Sequence, residues 1–171
     1  MMRMSPTNRK DAGNRILVAY FSHSGNTRML ANRIHESAGG DMFEILPEKG
    51  YPSDYDAAVK QAKEELESDL RPALKAKVKD IGQYDTVFVG YPIWWGTMPM
   101  PVFTFLSRYD LSGKTVVPFC TNGGSGLGRS LEDIRKLCSR SNILEGLAVS
   151  DGELEDDSAV AGWLRRLGMT K

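Results

Sequence analysis

Residues 15–27 read RILVAYFSHSGNT. The apolar run over 15–21 has no polar alternation, which is typical of a strand buried on both faces of a parallel sheet. Small polar residues follow at once, and a helical pattern of apolar residues begins at Asn26. A buried strand that passes through a short polar loop directly into a helix indicates a unit of parallel strands joined by a crossover helix.

The same alternation continues to the end of the chain and predicts an α/β fold, a doubly wound five-stranded parallel sheet. Residues 71–84 show no clean period and are expected to form a long surface connection. The five predicted strands are 15–21, 42–47, 86–91, 115–120 and 142–150. The first two predicted helices are 26–38 and 54–70. The third begins at Pro99 and Pro101 and has Val102, Phe103 and Leu106 on its apolar face. The apolar stripe of the fourth is Leu127, Leu131, Ile134 and Cys138, and that of the fifth is Val160, Trp163, Leu164 and Leu167.

Composition sets the broad class of the protein. The 171 residues include 22 Lys plus Arg and 22 Asp plus Glu, so the net charge gives no reason to expect nucleic acid or an anionic membrane as a partner. Residues 1–14 form a polar N-terminal tail without the apolar centre of a signal peptide, and 15–171 fit a single domain. A cytoplasmic location is expected.

The two cysteines are expected to be free thiols. Cys120 ends a predicted strand, and Cys138 lies near the far end of the following helix. About a dozen helical residues between them correspond to about 18 Å, which is too far for a disulfide.

Small hydroxyl and amide residues crowd the loop after the first strand. Ser22, Ser24, Asn26 and Thr27 surround Gly25 where a helix begins. Backbone N–H groups and the positive end of the helix dipole favour an anion at such a place, and a phosphate dianion suits it. Capping of the helix by Ser24 or Asn26 alone is the other interpretation.

Aromatic residues and glycines follow the third and fourth strands. Residues 91–97 read YPIWWGT, and the two tryptophans offer flat surfaces to an aromatic ligand, although one of them could instead fold into the core. Residues 121–128 read TNGGSGLG, a loop that exposes backbone N–H and C=O groups. Because the carboxyl ends of parallel strands share one edge, the three loops are expected to lie side by side.

In order and content, these loops resemble those of the flavodoxin family. The segments that carry the resemblance are SHSGNT, YPIWWGT and TNGGSG, and the similarity extends over about residues 15–168. It implies the strand order 2-1-3-4-5, FMN as cofactor and electron transfer as function. The protein would then tune the cofactor through packing, backbone hydrogen bonds and nearby charge.

The resemblance also implies which residues contact FMN. The first loop would hold the phosphate, and the other two would flank the isoalloxazine ring. The implied residues are Ser22, His23, Ser24, Gly25, Asn26 and Thr27 in the first loop, Pro92, Ile93, Trp94, Trp95 and Gly96 in the second, and Thr121, Asn122, Gly123, Gly124, Ser125 and Gly126 in the third.

The charge pattern differs from that of many electron-carrying flavodoxins, which are strongly acidic around the flavin. This chain is neutral overall, and one acidic patch follows the last predicted strand. Favourable charge at the start of the last helix explains several of its members, and docking of a basic partner is the other interpretation. The redox partner is expected to be a protein or a small-molecule electron donor or acceptor. The patch consists of Asp151, Glu153, Glu155, Asp156 and Asp157.

Two other activities fit parts of the sequence. An NAD(P)H-dependent quinone or nitro-compound reductase would use the same fold and cofactor. A nucleotide hydrolase would use residues 123–130, GGSGLGRS, which match a P-loop except that Arg129 replaces the lysine. The three loops contain neither a carboxylate nor a cysteine, which favours a one-electron carrier over an enzyme. Gly96 is the expected position for a peptide that reorients during the redox change.

Overall fold

The computed structural model describes residues 15–170, so the predicted tail over 1–14 lies outside the described part of the chain. Six strands and five helices alternate, with two short 3₁₀ turns at Ile81–Gln83 and Asp151–Glu153. The strands are β1 (Ile16–Tyr20), β2 (Asp41–Glu44), β3 (Thr86–Pro92), β4 (Thr115–Asn122), β5 (Asn142–Ile143) and β6 (Leu147–Ser150). The helices are α1 (Asn26–Ala38), α2 (Tyr55–Glu67), α3 (Met100–Arg108), α4 (Ser130–Leu137) and α5 (Ser158–Leu167).

The sheet is parallel throughout and has the order β2-β1-β3-β4-β5, which confirms the expected topology. Val18 in the centre of β1 is paired with Met42 on one side and with Phe88 on the other. All five residues of β1 are buried, as its unbroken apolar sequence predicts.

Alternate residues of each strand pack on opposite faces of the sheet. Leu17 and Ala19 belong to one apolar cluster, together with residues from α2, α3 and α4. Ile16 and Val18 belong to a second cluster with residues from α1 and α5, including the fully buried Trp163. Because helices cover both faces, a ligand can reach the sheet only at its edges. In sheets of this kind, ligands bind at the loops of the carboxyl edge.

The predicted last strand, 142–150, is two short strands rather than one. Both β5 and β6 pair with β4, and the chain leaves the ladder between them. Pro118 lies in β4 opposite this gap and has no N–H group to donate to the ladder. The missing donor accounts for the interruption of the ladder on the β5 and β6 side, a constraint that the sequence prediction overlooked.

The second predicted helix, 54–70, is shorter than expected. Asp54 caps it by accepting a hydrogen bond from the Ala57 N–H at 3.0 Å, and α2 ends at Glu67. Asp69 then adopts a positive φ of 51°, and Leu70 is 51% exposed instead of lying on the apolar stripe. Pro72, shortly after, disfavours helical backbone in the residue before it.

Other differences concern boundaries. β2 ends at Glu44 rather than at residue 47, and α4 begins at Ser130 rather than near Leu127. Residues 71–84 form a long connection, as predicted, with the 3₁₀ turn Ile81–Gln83 and an isolated antiparallel bridge between Leu74 and Pro47.

Both cysteines are free, as predicted, and both are buried. Burial raises the pKa of the Cys120 thiol to about 12 and that of Cys138 to about 11. The reactive thiolate is therefore scarce in the folded protein at neutral pH. No helix within residues 15–170 is long and apolar enough to cross a membrane.

Candidate functional site

The loops that follow β1, β3 and β4 meet at the carboxyl edge of the sheet and enclose a pocket. Two residues from outside these loops complete its wall, one at the start of α2 and one directly after β6. The pocket is lined by His23, Ser24, Asn26, Thr27, Tyr55, Pro92, Ile93, Trp94, Thr121, Asn122, Gly123 and Asp151.

The first loop leaves a backbone donor free at the start of α1. The Ser22 hydroxyl accepts hydrogen bonds from the N–H groups of Gly25 at 3.1 Å and Arg28 at 3.2 Å. Within residues 15–170, the N–H of Thr27 has no acceptor, because it lies in the first turn of α1, where no helical carbonyl precedes it. Ser22 therefore supports the turn, and the pocket side of the helix start retains a donor for an anion.

Hydroxyl groups join the first loop to the third. The side-chain oxygens of Thr27 and Thr121 lie 2.9 Å apart, and both residues are almost fully buried. The Thr27 hydroxyl, predicted to bind phosphate, is thus paired within the protein, while its N–H is not. This buried pair fixes the distance between the two loops.

Asn122 holds the third loop in shape. Its side-chain oxygen accepts hydrogen bonds from the N–H groups of Gly124 at 2.8 Å and Gly126 at 3.1 Å. Its amide nitrogen donates to the Val149 carbonyl at 3.2 Å and so connects the loop to β6. A loop with four glycines is ordered here because one buried side chain satisfies two of its backbone donors.

The second loop contains a tight two-residue turn. Trp94 and Thr97 exchange backbone hydrogen bonds of 2.8 and 3.3 Å, and positive φ angles occur at Trp95 (57°) and Gly96 (80°). Positive φ at both central positions is the geometry of a type I′ turn, in which glycine is favoured. The Gly96 carbonyl accepts a hydrogen bond from the Arg129 N–H at 2.7 Å, so this turn is attached to the third loop.

The two tryptophans point to different surroundings. Trp94 is only 4% exposed, lines the pocket and packs edge-on against Phe21 and His23 at 5.7 and 5.6 Å. Trp95 is 44% exposed and lies against α2, where its indole N–H donates to the Val59 carbonyl at 2.7 Å. The Lys63 ammonium lies 5.0 Å from the centre of the Trp95 ring. Trp94 alone of the pair is therefore placed to contact a ligand in the pocket.

His23 is held inside the site rather than turned to solvent. Its Nε2 lies 2.8 Å from the Pro52 carbonyl oxygen, and its ring centre is 6.4 Å from that of Tyr55. These contacts bring the segment before α2 to the pocket. Tyr55 is 57% exposed, a large aromatic surface that is open on the pocket wall.

Of the predicted site residues, ten line the pocket and seven do not. Ser22 and Gly25 support the first turn from behind, Trp95 and Gly96 face α2 and the third loop, and the remaining three lie beyond Gly123. Those that line it are His23, Ser24, Asn26, Thr27, Pro92, Ile93, Trp94, Thr121, Asn122 and Gly123, and those that do not are Ser22, Gly25, Trp95, Gly96, Gly124, Ser125 and Gly126.

Sequence reasoning missed two lining residues, Tyr55 and Asp151. A signal existed for both. The start of the helix after β2 lies at the same carboxyl edge as the three loops, and Asp151 directly follows the last strand. The Asp151 side-chain oxygen Oδ1 accepts a hydrogen bond from the Asn26 side-chain amide at 3.4 Å. Asp151 brings a carboxylate to the end of the pocket where the first loop lies, and among residues 15–170 no Lys or Arg side chain belongs to that lining.

Two further members of the acidic patch are engaged within the protein. The Asp156 carboxylate accepts hydrogen bonds from the Ser158 N–H and hydroxyl at 2.9 and 2.6 Å, which lower the pKa of that carboxyl. Asp157 forms an ion pair of 3.1 Å with Arg33 of α1. These contacts favour the interpretation in which the patch supports the start of α5.

The segment that matches a P-loop has a structural role. The Ser130 hydroxyl, which would bind magnesium in a nucleotide hydrolase, accepts a hydrogen bond from Tyr91 at 2.9 Å and donates to the Leu127 carbonyl at 2.6 Å. Ser130 is fully buried, and the Arg129 N–H is bound to Gly96. These groups are occupied with packing α4 against the sheet.

Comparison with known proteins agrees with this architecture. A flavoprotein from Bacteroides eggerthii is 37% identical over 90% of this chain and 98% of its own, with a TM-score of 0.78. A second, from Bacteroides uniformis, is 32% identical over 88% and 97%, also with a TM-score of 0.78. A flavoprotein from Lactobacillus acidophilus in complex with FMN shares the fold at 23% identity over 84% and 98%, with a TM-score of 0.69.

The family assignment rests on a match that spans almost the whole described chain. The model of the family Flavodoxin matches residues 15–167, which include β1, all three loops and α5. The strand order β2-β1-β3-β4-β5 is the one that the resemblance implied. The chain belongs to the flavodoxin family.

Proposed function

We propose that this protein binds FMN in the pocket at the carboxyl edge of the sheet and exchanges electrons through it with a redox partner protein or a small-molecule donor or acceptor. One observation carries the proposal. A free helix-start N–H at Thr27 and a buried aromatic wall at Trp94 line the same pocket. An anionic group and a flat ring are the two ends of FMN.

The first loop suits the phosphate. The Thr27 N–H, the Ser24 hydroxyl and the Asn26 side chain all belong to the lining at the start of α1. Hydrogen bonds to a charged group contribute about 1.5–3 kcal/mol each, which is ample for recognition without a cationic side chain. The helix dipole adds to this attraction.

The second and third loops suit the ring. Trp94 is almost fully buried and lines the pocket, so its indole offers a rigid aromatic wall to a ligand. Asn122 and Gly123 form the wall on the other loop. When bound, FMN supplies one- and two-electron redox chemistry, and the protein supplies binding, orientation and exclusion of water.

The arrangement of side chains supports a carrier rather than an enzyme. His23 is bonded to the Pro52 carbonyl, and Asp151 contacts Asn26 in the loop assigned to the phosphate. Both side chains are thus engaged within the protein, and neither is arranged as a general acid or base for a substrate at the flavin ring. An NAD(P)H-dependent quinone or nitro-compound reductase of the same fold is the activity to test against this proposal.

The decisive experiment compares FMN with riboflavin, which lacks the phosphate. We expect FMN to bind at least about a hundred-fold more tightly, because two or more charged hydrogen bonds are lost with riboflavin. Quenching of tryptophan fluorescence measures both affinities. Equal affinity for the two flavins would show that the first loop does not hold a phosphate.

The loaded protein should then be mixed with NADPH and a quinone. A carrier is expected to reduce the quinone only slowly under these conditions. Rapid, catalytic oxidation of NADPH would replace the carrier role with that of a reductase, while leaving FMN binding intact.

The negative charge of Asp151 leads to a prediction about FMN affinity. Its carboxylate lies in the pocket beside Asn26, where it opposes a bound dianion. Asp151→Asn should therefore tighten FMN binding about five-fold, corresponding to about 1 kcal/mol of removed repulsion, and leave riboflavin binding unchanged. Glu153→Gln is the matched control, because Glu153 accepts a hydrogen bond from Ser150 and does not line the pocket. Weaker FMN binding by Asp151→Asn would mean that this carboxylate helps to hold the ligand.

A further inference from the structure

A buried tyrosine–glutamate pair lies behind the pocket, and the binding site does not use it. The Tyr51 hydroxyl donates a hydrogen bond to Oε1 of Glu65, and the Gln61 side-chain amide donates to Oε2 at 3.2 Å. Glu65 is only 8% exposed. A buried carboxylate is costly unless it is hydrogen-bonded, and here both of its oxygens have donors. The Tyr51 hydroxyl proton is thus already directed at a carboxylate oxygen.

Trp94 connects this pair to the pocket. The ring centres of Tyr51 and Trp94 are 5.4 Å apart in an edge-to-face contact, and Trp94 itself lines the pocket. Phe21 packs edge-on against both rings, with its ring centre 5.7 Å from each. The order of groups from the pocket inward is therefore indole, phenol and carboxylate, each in contact with the next.

A phenol beside a carboxylate can lose an electron and a proton together. Loss of one electron makes a phenol strongly acidic, so oxidation is easy only where a base accepts the proton at the same moment. Burial and the hydrogen bond to Glu65 raise the pKa of Tyr51, so the hydroxyl keeps its proton until it is oxidised. The Glu65 carboxylate is already hydrogen-bonded to that proton.

We propose that Trp94, Tyr51 and Glu65 form a proton-coupled electron relay that returns an electron to the pocket when a strong one-electron oxidant arises there. The proposal rests on the proposed function, because the oxidant is FMN excited by blue light. With FMN bound, the Trp94 indole would give one electron to the light-excited ring. Tyr51 then gives one electron to the oxidised indole, and its hydroxyl proton moves to Glu65. The relay thus removes the oxidising equivalent from the pocket wall and spares Trp94 from irreversible oxidation.

The chain contains a matched pair for comparison. The Tyr84 hydroxyl donates to Oδ2 of Asp41 at 2.6 Å, so it also has a carboxylate partner. Asp41 begins β2 and Tyr84 precedes β3, which places that pair at the amino edge of the sheet, opposite the pocket. Tyr84→Phe therefore removes an equivalent phenol without touching the relay.

The test uses flash excitation of the FMN-loaded protein, with transient absorption to follow tryptophan and tyrosine radicals. In the wild type, we expect a tryptophan radical that is replaced by a neutral tyrosine radical, more slowly in D₂O than in water. Tyr51→Phe should leave the tryptophan radical as the last species. Glu65→Gln, which keeps an acceptor but not a base, should slow tyrosine oxidation about ten-fold or more. Tyr84→Phe should behave as the wild type.

FMN titration and circular dichroism of each variant precede the flash, so the two proposals fail separately. A wild-type protein that does not bind FMN contradicts the proposed function. Normal FMN binding with a tyrosine radical that persists in Tyr51→Phe, or that forms at the wild-type rate in Glu65→Gln, overturns the relay.

Discussion

Replacing Trp94 by alanine is expected to lower the free energy of unfolding by about 3–5 kcal/mol, the usual cost of removing a large buried aromatic side chain. Trp94 is 4% exposed and packs against Phe21, Tyr51 and His23, so its loss leaves a cavity beneath the pocket. FMN affinity should fall by more than about a hundred-fold, because the variant loses a stacking surface and a rigid wall together. Urea unfolding measures the first effect and fluorescence titration of flavin the second.

Trp95→Ala is the control for this prediction. Trp95 is 44% exposed, does not line the pocket and contributes one hydrogen bond to Val59. Its loss should cost about 1 kcal/mol of stability and change FMN affinity only slightly. Trp94→Phe should recover most of the stability, which keeps the binding measurement possible if Trp94→Ala unfolds. A larger loss of FMN affinity in Trp95→Ala than in Trp94→Phe would contradict the assignment.

Gly128→Ala should produce the second large effect. Gly128 has a positive φ of 57°, and an added Cβ would lie 2.3 Å from the Gly96 carbonyl oxygen. That oxygen is the acceptor of the hydrogen bond that attaches the turn at Trp95–Gly96 to the third loop. We expect a loss of about 2–4 kcal/mol in the free energy of unfolding, from left-handed strain together with the displaced hydrogen bond. FMN affinity should fall by about ten-fold or more, since two loops move apart.

Gly126→Ala is the control that separates the cost of left-handed backbone from the cost of the clash with Gly96. Gly126 also has a positive φ, 72°, but nothing lies within 4 Å of the position that its Cβ would take. It should therefore lose only about 1–2 kcal/mol, the cost of left-handed backbone for a residue with a Cβ. If the two variants were equally stable, the contact between Gly128 and Gly96 would have no energetic role.

The sequence predicted the sheet well because buried parallel strands leave an unmistakable pattern. The run at 15–21 has no polar residue in its centre, and each such run is followed by a helix of 3.6-residue period. The order of the strands came from the resemblance rather than from periodicity. Errors arose where a single residue overrode the pattern, as Pro118 did for the last strand and Asp69 for the end of α2.

The candidate site was predicted in outline but not in detail. Residues that follow a strand directly, such as Ile93 after β3 and Gly123 after β4, reach the pocket because topology alone brings them to one edge. Sequence could not tell which tryptophan lines the pocket, because that depends on the type I′ turn, which directs Trp95 away from Trp94 and toward α2. The peptide at Gly96, expected to reorient, has its carbonyl bound to Arg129. Such long-range hydrogen bonds have no signature in local sequence.

The indole N–H signals of the three tryptophans provide the most direct test of where the ligand binds. Trp163 donates to the Glu145 carbonyl and Trp95 to the Val59 carbonyl, whereas Trp94 lines the pocket. Single Trp→Phe variants assign the three signals in a ¹⁵N–¹H spectrum. Addition of FMN should shift the Trp94 indole signal and the backbone amide of Thr27 strongly, and leave Trp163 in place. Unchanged Trp94 and Thr27 signals in the presence of saturating FMN would contradict the pocket assignment.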